Sequence, residues 1–180
     1  MSGKSKKVLN ETLTNKRTDG IEVYDIILKN TEDLDYIRRE YFREHCPQER
    51  RLSVRSRDDG PAIKQIYKKG ESRIIWMKSN IIHREGGPAQ VRVIRDDYSH
   101  QTYNINTLLI TLQWHNKGIL HREDGPAVEK YTLSTDLDLT TNKNRKAVKS
   151  QVHDIYYLQG VRLSKYEWEQ LVNKMKFDIL

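Results

Sequence analysis

Short apolar runs broken by glycine and proline set the rhythm of the chain between residues 51 and 163. Ile63-Lys64-Gln65-Ile66-Tyr67, Val91-Arg92-Val93-Ile94 and Val128-Glu129-Lys130-Tyr131 each begin just after a Gly-Pro-Ala triplet. They are short and rich in β-branched and aromatic residues, as strands are. Ile74-Ile75-Trp76-Met77, the run 108–114 ending in Trp114, and Asp154-Ile155-Tyr156-Tyr157-Leu158 supply return strands. Lys69-Gly70-Glu71-Ser72 reads as the turn joining the first pair. Asn80, Gly118 and Gly160 follow the return strands at one equivalent place, and Asn and Gly are the residues that tolerate positive φ. A hairpin turn is predicted at each. The pattern predicts a mainly β protein: a row of antiparallel hairpins forming one repeat sheet over 51–163.

The rhythm is a repeat. Trp76-Met77-Lys78-Ser79-Asn80-Ile81-Ile82-His83-Arg84-Glu85-Gly86-Gly87-Pro88-Ala89 aligns without a gap on 114–127, from Trp114 through His121-Arg122-Glu123-Asp124-Gly125-Pro126-Ala127. Eight of the fourteen positions coincide. A decayed copy, Ser56-Arg57-Asp58-Asp59-Gly60-Pro61-Ala62, precedes them with Ser where the others have His. Another follows at 156–163, with an aromatic in the Trp place and Gly160 four positions on, but no His-Arg-Glu. The prolines fall 27 and then 38 residues apart (Pro61, Pro88, Pro126), so extra residues swell the connection near 96–106. A second insertion is expected near 134–150.

The titratable side chains of the motif need weighing. His83-Arg84-Glu85 and His121-Arg122-Glu123 could serve acid/base chemistry beside an anion clamp. An element repeated in tandem is scaffold more readily than catalyst, because a reaction needs its site once and each repeat must satisfy its own turn. Trp76, His83, Arg84, Gly87 and Pro88 are therefore assigned to the repeat scaffold, and so are Trp114, His121, Arg122, Gly125 and Pro126. In each Gly-Pro the proline lacks an N–H and suits a strand start.

The pattern aromatic-x3-Gly/Asn-x2-His-Arg-Glu-x-Gly-Pro-Ala resembles the MORN-like repeats common in large DNA viruses of protists and found in some bacterial and phage proteins. The ending 156–168, from Tyr156 to Trp168, is similar to the closing unit of those proteins, where a strand and turn lead into a short helix. The resemblance covers about 56–180. It implies an all-β scaffold used for protein contact, without catalytic residues, cofactor or metal. The most concrete version is a minor, capsid-associated component of a virus particle, whose partners are other virion proteins. Location would be the particle or the host cytoplasm. Asn80 in place of Gly, the two insertions and the polar stretch 132–151 depart from the pattern.

Flanking segments complete the expected organisation: a disordered basic arm over 1–17, a strand-helix cap over 18–50, and a closing helix within 164–180. Residues 21–28 read as a strand. A helix is expected from about 31 through Glu44, capped by Asn30 or Thr31 and striped by Leu34, Ile37 and Tyr41, and Cys46-Pro47 stops it. At the other end Ser164-Lys165-Tyr166-Glu167 has capping-box spacing, and Trp168, Leu171, Val172 and Met175 form an apolar stripe. This helix, about 165–176, is expected to close the open end of the sheet, with a partner groove as the alternative.

Composition sharpens the functional options. The 180 residues hold 32 Lys+Arg against 25 Asp+Glu, a net +7, with 36% hydrophobic residues and mean hydropathy −0.83, so the core must be thin. No apolar run is long enough to span a bilayer, and the basic start is followed by no apolar stretch, so a soluble intracellular chain is expected. Five basic residues among the first 17 (Lys4, Lys6, Lys7, Lys16, Arg17) face Glu11 alone, and Arg38, Arg39, Arg43, Arg50, Arg51, Arg55 and Arg57 against Glu40, Glu44 and Glu49 form a second excess. Lys4, Lys6, Lys7, Arg38, Arg39, Arg43, Arg50 and Arg51 are candidate anion-binding residues, for nucleic acid or an acidic protein. A nucleic-acid-binding accessory protein, or an adaptor or inhibitor of a host protein, are the alternative functions. Gly3-Lys4-Ser5 lacks the upstream half of a P-loop, and CxxC and HExxH are absent from the sequence. His83, His115, His121 and His153 could be imagined as a metal nuclease site, but two of them are repeat positions.

Overall fold

Antiparallel pairing builds nearly all of the structure, a computed structural model that describes residues 7–29, 36–44, 53–67, 71–100, 103–136 and 148–177. The protein is mainly β, and its chain divides into two compact units, Met1–His83 and Arg84–Leu180.

The first unit contains β1 (Lys7–Lys16), β2 (Glu22–Lys29), β3 (Tyr36–Glu44), β4 (Val54–Arg55), β5 (Ile63–Tyr67), β6 (Ser72–Ile75), β7 (Met77–Lys78) and β8 (Ile81–Ile82). Its sheet runs β1-β2-β3-β5-β6, β4 pairs with the end of β3, and β7–β8 is a separate small hairpin. Two expectations are corrected here. Residues 7–16, placed in a disordered arm, form β1 along β2 (Glu11↔Ile26, Leu13↔Tyr24), while 1–6 lie outside the described residues. Residues 36–44, expected in the helix, form β3, paired with β2 (Val23↔Tyr41) and β5 (Ile37↔Ile66).

The strand wins at 36–44 because both its faces find cover. Tyr41 joins Ile21 and Val23 in a buried cluster on one face. On the other, Phe42 is fully buried beneath the Arg55 guanidinium (5.2 Å) and against the edge of Tyr24 (5.7 Å). Its charges find partners on neighbouring strands and within β3: Arg39 grips Asp25 in two bonds of 2.6 and 2.7 Å, and buried Glu40 accepts from Arg55 and from Arg38. The proposed caps Asn30 and Thr31, Leu34, and Cys46-Pro47 lie outside the described residues.

The second unit contains β9 (Gln90–His100), β10 (Tyr103–Gln113), β11 (His115–Asn116), β12 (Ile119–Leu120), β13 (Val128–Asp136), β14 (Val148–Leu158), β15 (Val161–Leu163) and α1 (Lys165–Phe177). Its sheet runs β9-β10-β13-β14-β15, beside the small hairpin β11–β12. The insertion near 96–106 lengthens the β9–β10 hairpin, which stays in register from Gln90↔Gln113 to His100↔Tyr103. The second extends β13 and β14 to Ser134↔Val148, and 137–147 lie outside the described residues.

The capping box forms as the spacing predicts. Ser164 Oγ accepts from Glu167 N–H (3.2 Å), and the Glu167 carboxylate accepts from Ser164 N–H (2.8 Å) and Oγ–H (2.7 Å). Helix α1 packs on β14 and β15 through half of its apolar stripe. Val172 is buried, and Trp168 lies 5.1 Å from the Tyr156 ring while its indole N–H donates to Arg122 O (2.9 Å). Leu171 and Met175 stay exposed, as do Tyr166 and Phe177. Among the described residues no helix is long and apolar enough to cross a membrane.

Candidate functional site

The turn motif is best followed at 114–127, where one copy lies within the second unit. Trp114 ends β10, its N–H donates to Ala127 O (2.8 Å), and His121 N–H donates back to Trp114 O (3.1 Å). The small hairpin β11–β12 projects between these two bonds, turning at Lys117 and Gly118, both with positive φ (49° and 89°). Two successive positive φ values make a type I′ turn, which matches the twist of the flanking strands. Ser79-Asn80 (50°, 66°) and Gln159-Gly160 (50°, 81°) repeat it, at the three places where the sequence predicts turns.

Arg122 is the centre of the motif. Its guanidinium lies 3.9 Å from the Trp114 ring centroid, a stacked cation–π contact. A Cβ added to Gly125 would come within 3.0 Å of the guanidinium carbon, so space rather than backbone freedom favours glycine here. Arg122 Nε donates to Asp124 (2.7 Å), and Nη1 donates to Pro126 O (3.2 Å) and Glu129 (2.6 Å). The Arg122 guanidinium holds the Asp124 carboxyl below the usual range. His121 joins its copy to the next turn: Gln159 N–H donates to Nδ1 (3.1 Å), so the neutral ring carries its proton on Nε2 and donates it to Glu123 (3.1 Å).

The first copy makes the same bonds with a partner that motif spacing does not find. Tyr41 stands in the Trp place: its N–H donates to Ala62 O (2.9 Å), Ser56 N–H donates to Tyr41 O (3.2 Å), and the Arg57 guanidinium lies 4.2 Å over its ring. Gly60 faces Arg57 as Gly125 faces Arg122, with an added Cβ at 2.9 Å, and Asp59 takes the Asp124 part (2.7 Å). The connection from Tyr41 to Ser56 is eight residues longer than that from Trp114 to His121, which hides the aromatic from a fixed-spacing search. In the middle copy His83 N–H donates to Trp76 O (3.2 Å), and Arg84 Nη1 donates to Pro88 O (3.3 Å) with Gly87 against its guanidinium. Asn80, the departure from glycine, adds bonds glycine cannot make: Oδ1 accepts from Arg55 N–H (2.7 Å) and Nδ2 donates to Ser53 O (2.9 Å).

A Gly125→Ala substitution is expected to cost about 2 kcal/mol by overpacking. In a double-mutant cycle measured by denaturant unfolding, the loss should shrink when Arg122→Ala removes the opposing group. Additive losses would mean that the glycine serves something other than the stack.

Chemistry from these side chains is confined by their engagement. Among the described residues no three His, Cys, Asp or Glu side chains are grouped to hold a metal. His115 points inward, its Nδ1–H donates to Gly118 O (3.3 Å), and burial lowers its pKa from the ordinary 6.5. The neutral ring is thus favoured in the folded state, and the unfolded chain takes up the proton first as pH falls. Stability contributed by neutral His115 is complete above pH 6.5 and is lost progressively below it, down to its folded pKa. Asp25, Asp59 and Asp124 are each lowered from 3.8 by arginine, so their contribution is lost only as pH drops through that more acidic range. The thermal midpoint should therefore fall in two separate steps, and His115→Gln should flatten the one beginning near pH 6.5.

The candidate anion-binding residues are not gathered into a bare cationic face. Arg38 holds Glu40, Arg39 holds Asp25, and Arg43 lies 3.5 Å from Asp58. Lys4, Lys6, Arg50 and Arg51 lie outside the described residues, and Lys7 is placed only as the first residue of β1. One feature escaped the sequence reading. Ile81, Ile119 and Val161 follow the turn Asn or Gly of β7–β8, β11–β12 and β14–β15 and are 47%, 43% and 59% exposed. Compared with known protein families, curated proteins and solved structures, the chain finds no match.

Proposed function

We propose that the chain is a non-catalytic protein-interaction scaffold whose contact residues are the branched aliphatic side chains that follow the three type I′ turns. The observation that carries this reading is the exposure of Ile81, Ile119 and Val161 at one repeated position. The engagement of Arg122, His121 and Asp124 with one another's surroundings supports it, since side chains held in structural bonds are poorly placed for turnover. The likeness of the motif to MORN-like repeats gives the concrete version: a minor, capsid-associated component of a large DNA virus particle, with virion proteins as partners. The nucleic-acid reading draws less support, because Arg38, Arg39 and Arg43 each face a carboxylate.

Ile119→Asp combined with Val161→Asp should leave the fold intact, both being exposed, and abolish capture of particle proteins by the tagged full-length chain. Capture undiminished by these changes would overturn the reading. Mass spectrometry of gradient-purified particles tests its concrete version, which predicts this chain at a fixed ratio to the major shell protein.

A further inference from the structure

A cleft of about 390 Å³ opens in the first unit, and three arginines line it: Arg17, Arg39 and Arg57. Thr14, Asn15 and Tyr41 complete its polar wall, and no carboxylate belongs to the lining. We propose that this cleft binds a phosphate group, free or carried as a small monoester.

The carboxylates around the cleft act as positioning groups. Asp59 receives Arg17 through both terminal nitrogens (3.0 and 2.9 Å) and Arg57 through Nε (2.7 Å), and Asp19 takes a further bond from Arg17 (2.9 Å). Asp25 receives Arg39 through Nε and Nη2. Arg57 is also stacked on Tyr41. These contacts fix three guanidinium planes before any ligand arrives, which removes much of the ordering cost of binding. They leave Arg17 Nε and Arg57 Nη1 outside the aspartate bonds, while Arg39 also donates to the Tyr41 oxygen. The remaining N–H donors of the three guanidinium groups, the Tyr41 O–H and the Asn15 amide suit a ligand made of acceptors. A tetrahedral oxyanion offers acceptors in several directions at once, as a planar carboxylate does not. Because Asp19, Asp25 and Asp59 offset the arginine charge, selection rests on short-range hydrogen bonding, and a dissociation constant on the order of 1 mM is expected.

The test is a titration of the full-length protein with inorganic phosphate, then phenyl phosphate, then acetate, at constant ionic strength. It is followed through the amide signals of Asn15, Arg17, Arg39 and Tyr41. Saturable shifts with both phosphates and none with acetate are expected. Arg39→Gln should weaken binding at least tenfold, and Arg17→Lys, which keeps the charge but loses the fork, several-fold. The control Lys174→Gln on α1 should change nothing. Shifts for phenyl phosphate alone would make the ligand an aromatic ester and overturn the phosphate assignment. Equal shifts with acetate, no saturation at tens of millimolar, or undiminished binding by both arginine variants would overturn it too.

Discussion

Trp114→Ala is expected to destabilise the protein by about 3 kcal/mol, among the largest single effects in the chain. The ring does two things that alanine cannot. It buries apolar area where a thin sheet has little to spare, and it is the surface on which the Arg122 guanidinium stacks at 3.9 Å. Without it, Arg122 keeps its bonds to Asp124, Pro126 and Glu129 but loses the face that fixes its plane. Trp114→Phe retains a ring and should cost less than half as much. Denaturant unfolding of both variants measures this, and a Trp114→Ala loss below about 1 kcal/mol, within the range of an ordinary surface change, would refute the stack as a main support of the turn.

Glu40→Ala should cost a similar amount, about 3 kcal/mol, for a different reason. Glu40 is fully buried and accepts from both Arg38 and Arg55, whose side chains are themselves only 21% and 19% exposed. Truncation leaves two poorly solvated cations facing each other with nothing between them. Glu40→Gln keeps an acceptor and the shape of the side chain but not the charge, so it should fall between wild type and Glu40→Ala in thermal midpoint. Equal midpoints for Gln and Ala would show that charge, and not the remaining hydrogen bonding, decides the effect.

These two residues also mark what could and could not be read from sequence. Trp114 announces itself because its copy and that of Trp76 share one spacing, and the same periodicity exposes Asn80, Gly118 and Gly160 as turn residues. Positive φ leaves few residue types to choose from, so turns survive as legible marks. The closing helix was readable for a similar reason, since the Ser164–Glu167 spacing has one local solution. Strand β3 was not. Its charged residues pair with Asp25 on β2 and with Arg55 on β4, and neither of those partners is visible from within the segment. Leu34, Ile37 and Tyr41 happen to fall at helical spacing, and tertiary pairing overrode it. Tyr41 was missed as a motif aromatic because the longer connection to Ser56 breaks the period. The arginine cleft was illegible because Arg17, Arg39 and Arg57 are brought together only by the pairing of β1, β2, β3 and β4.

The account holds that one hydrogen-bonded turn architecture recurs from Tyr41 onward, and residue-resolved amide exchange on the full-length protein tests that most directly. Tyr41, Ser56 and Asn80 should be protected as strongly as their counterparts Trp114, His121 and Gly160, which donate to the same acceptors in the later copy. Protection at Trp114, His121 and Gly160 with free exchange at Tyr41, Ser56 and Asn80 would contradict it, leaving the first copy a likeness of sequence without the structure.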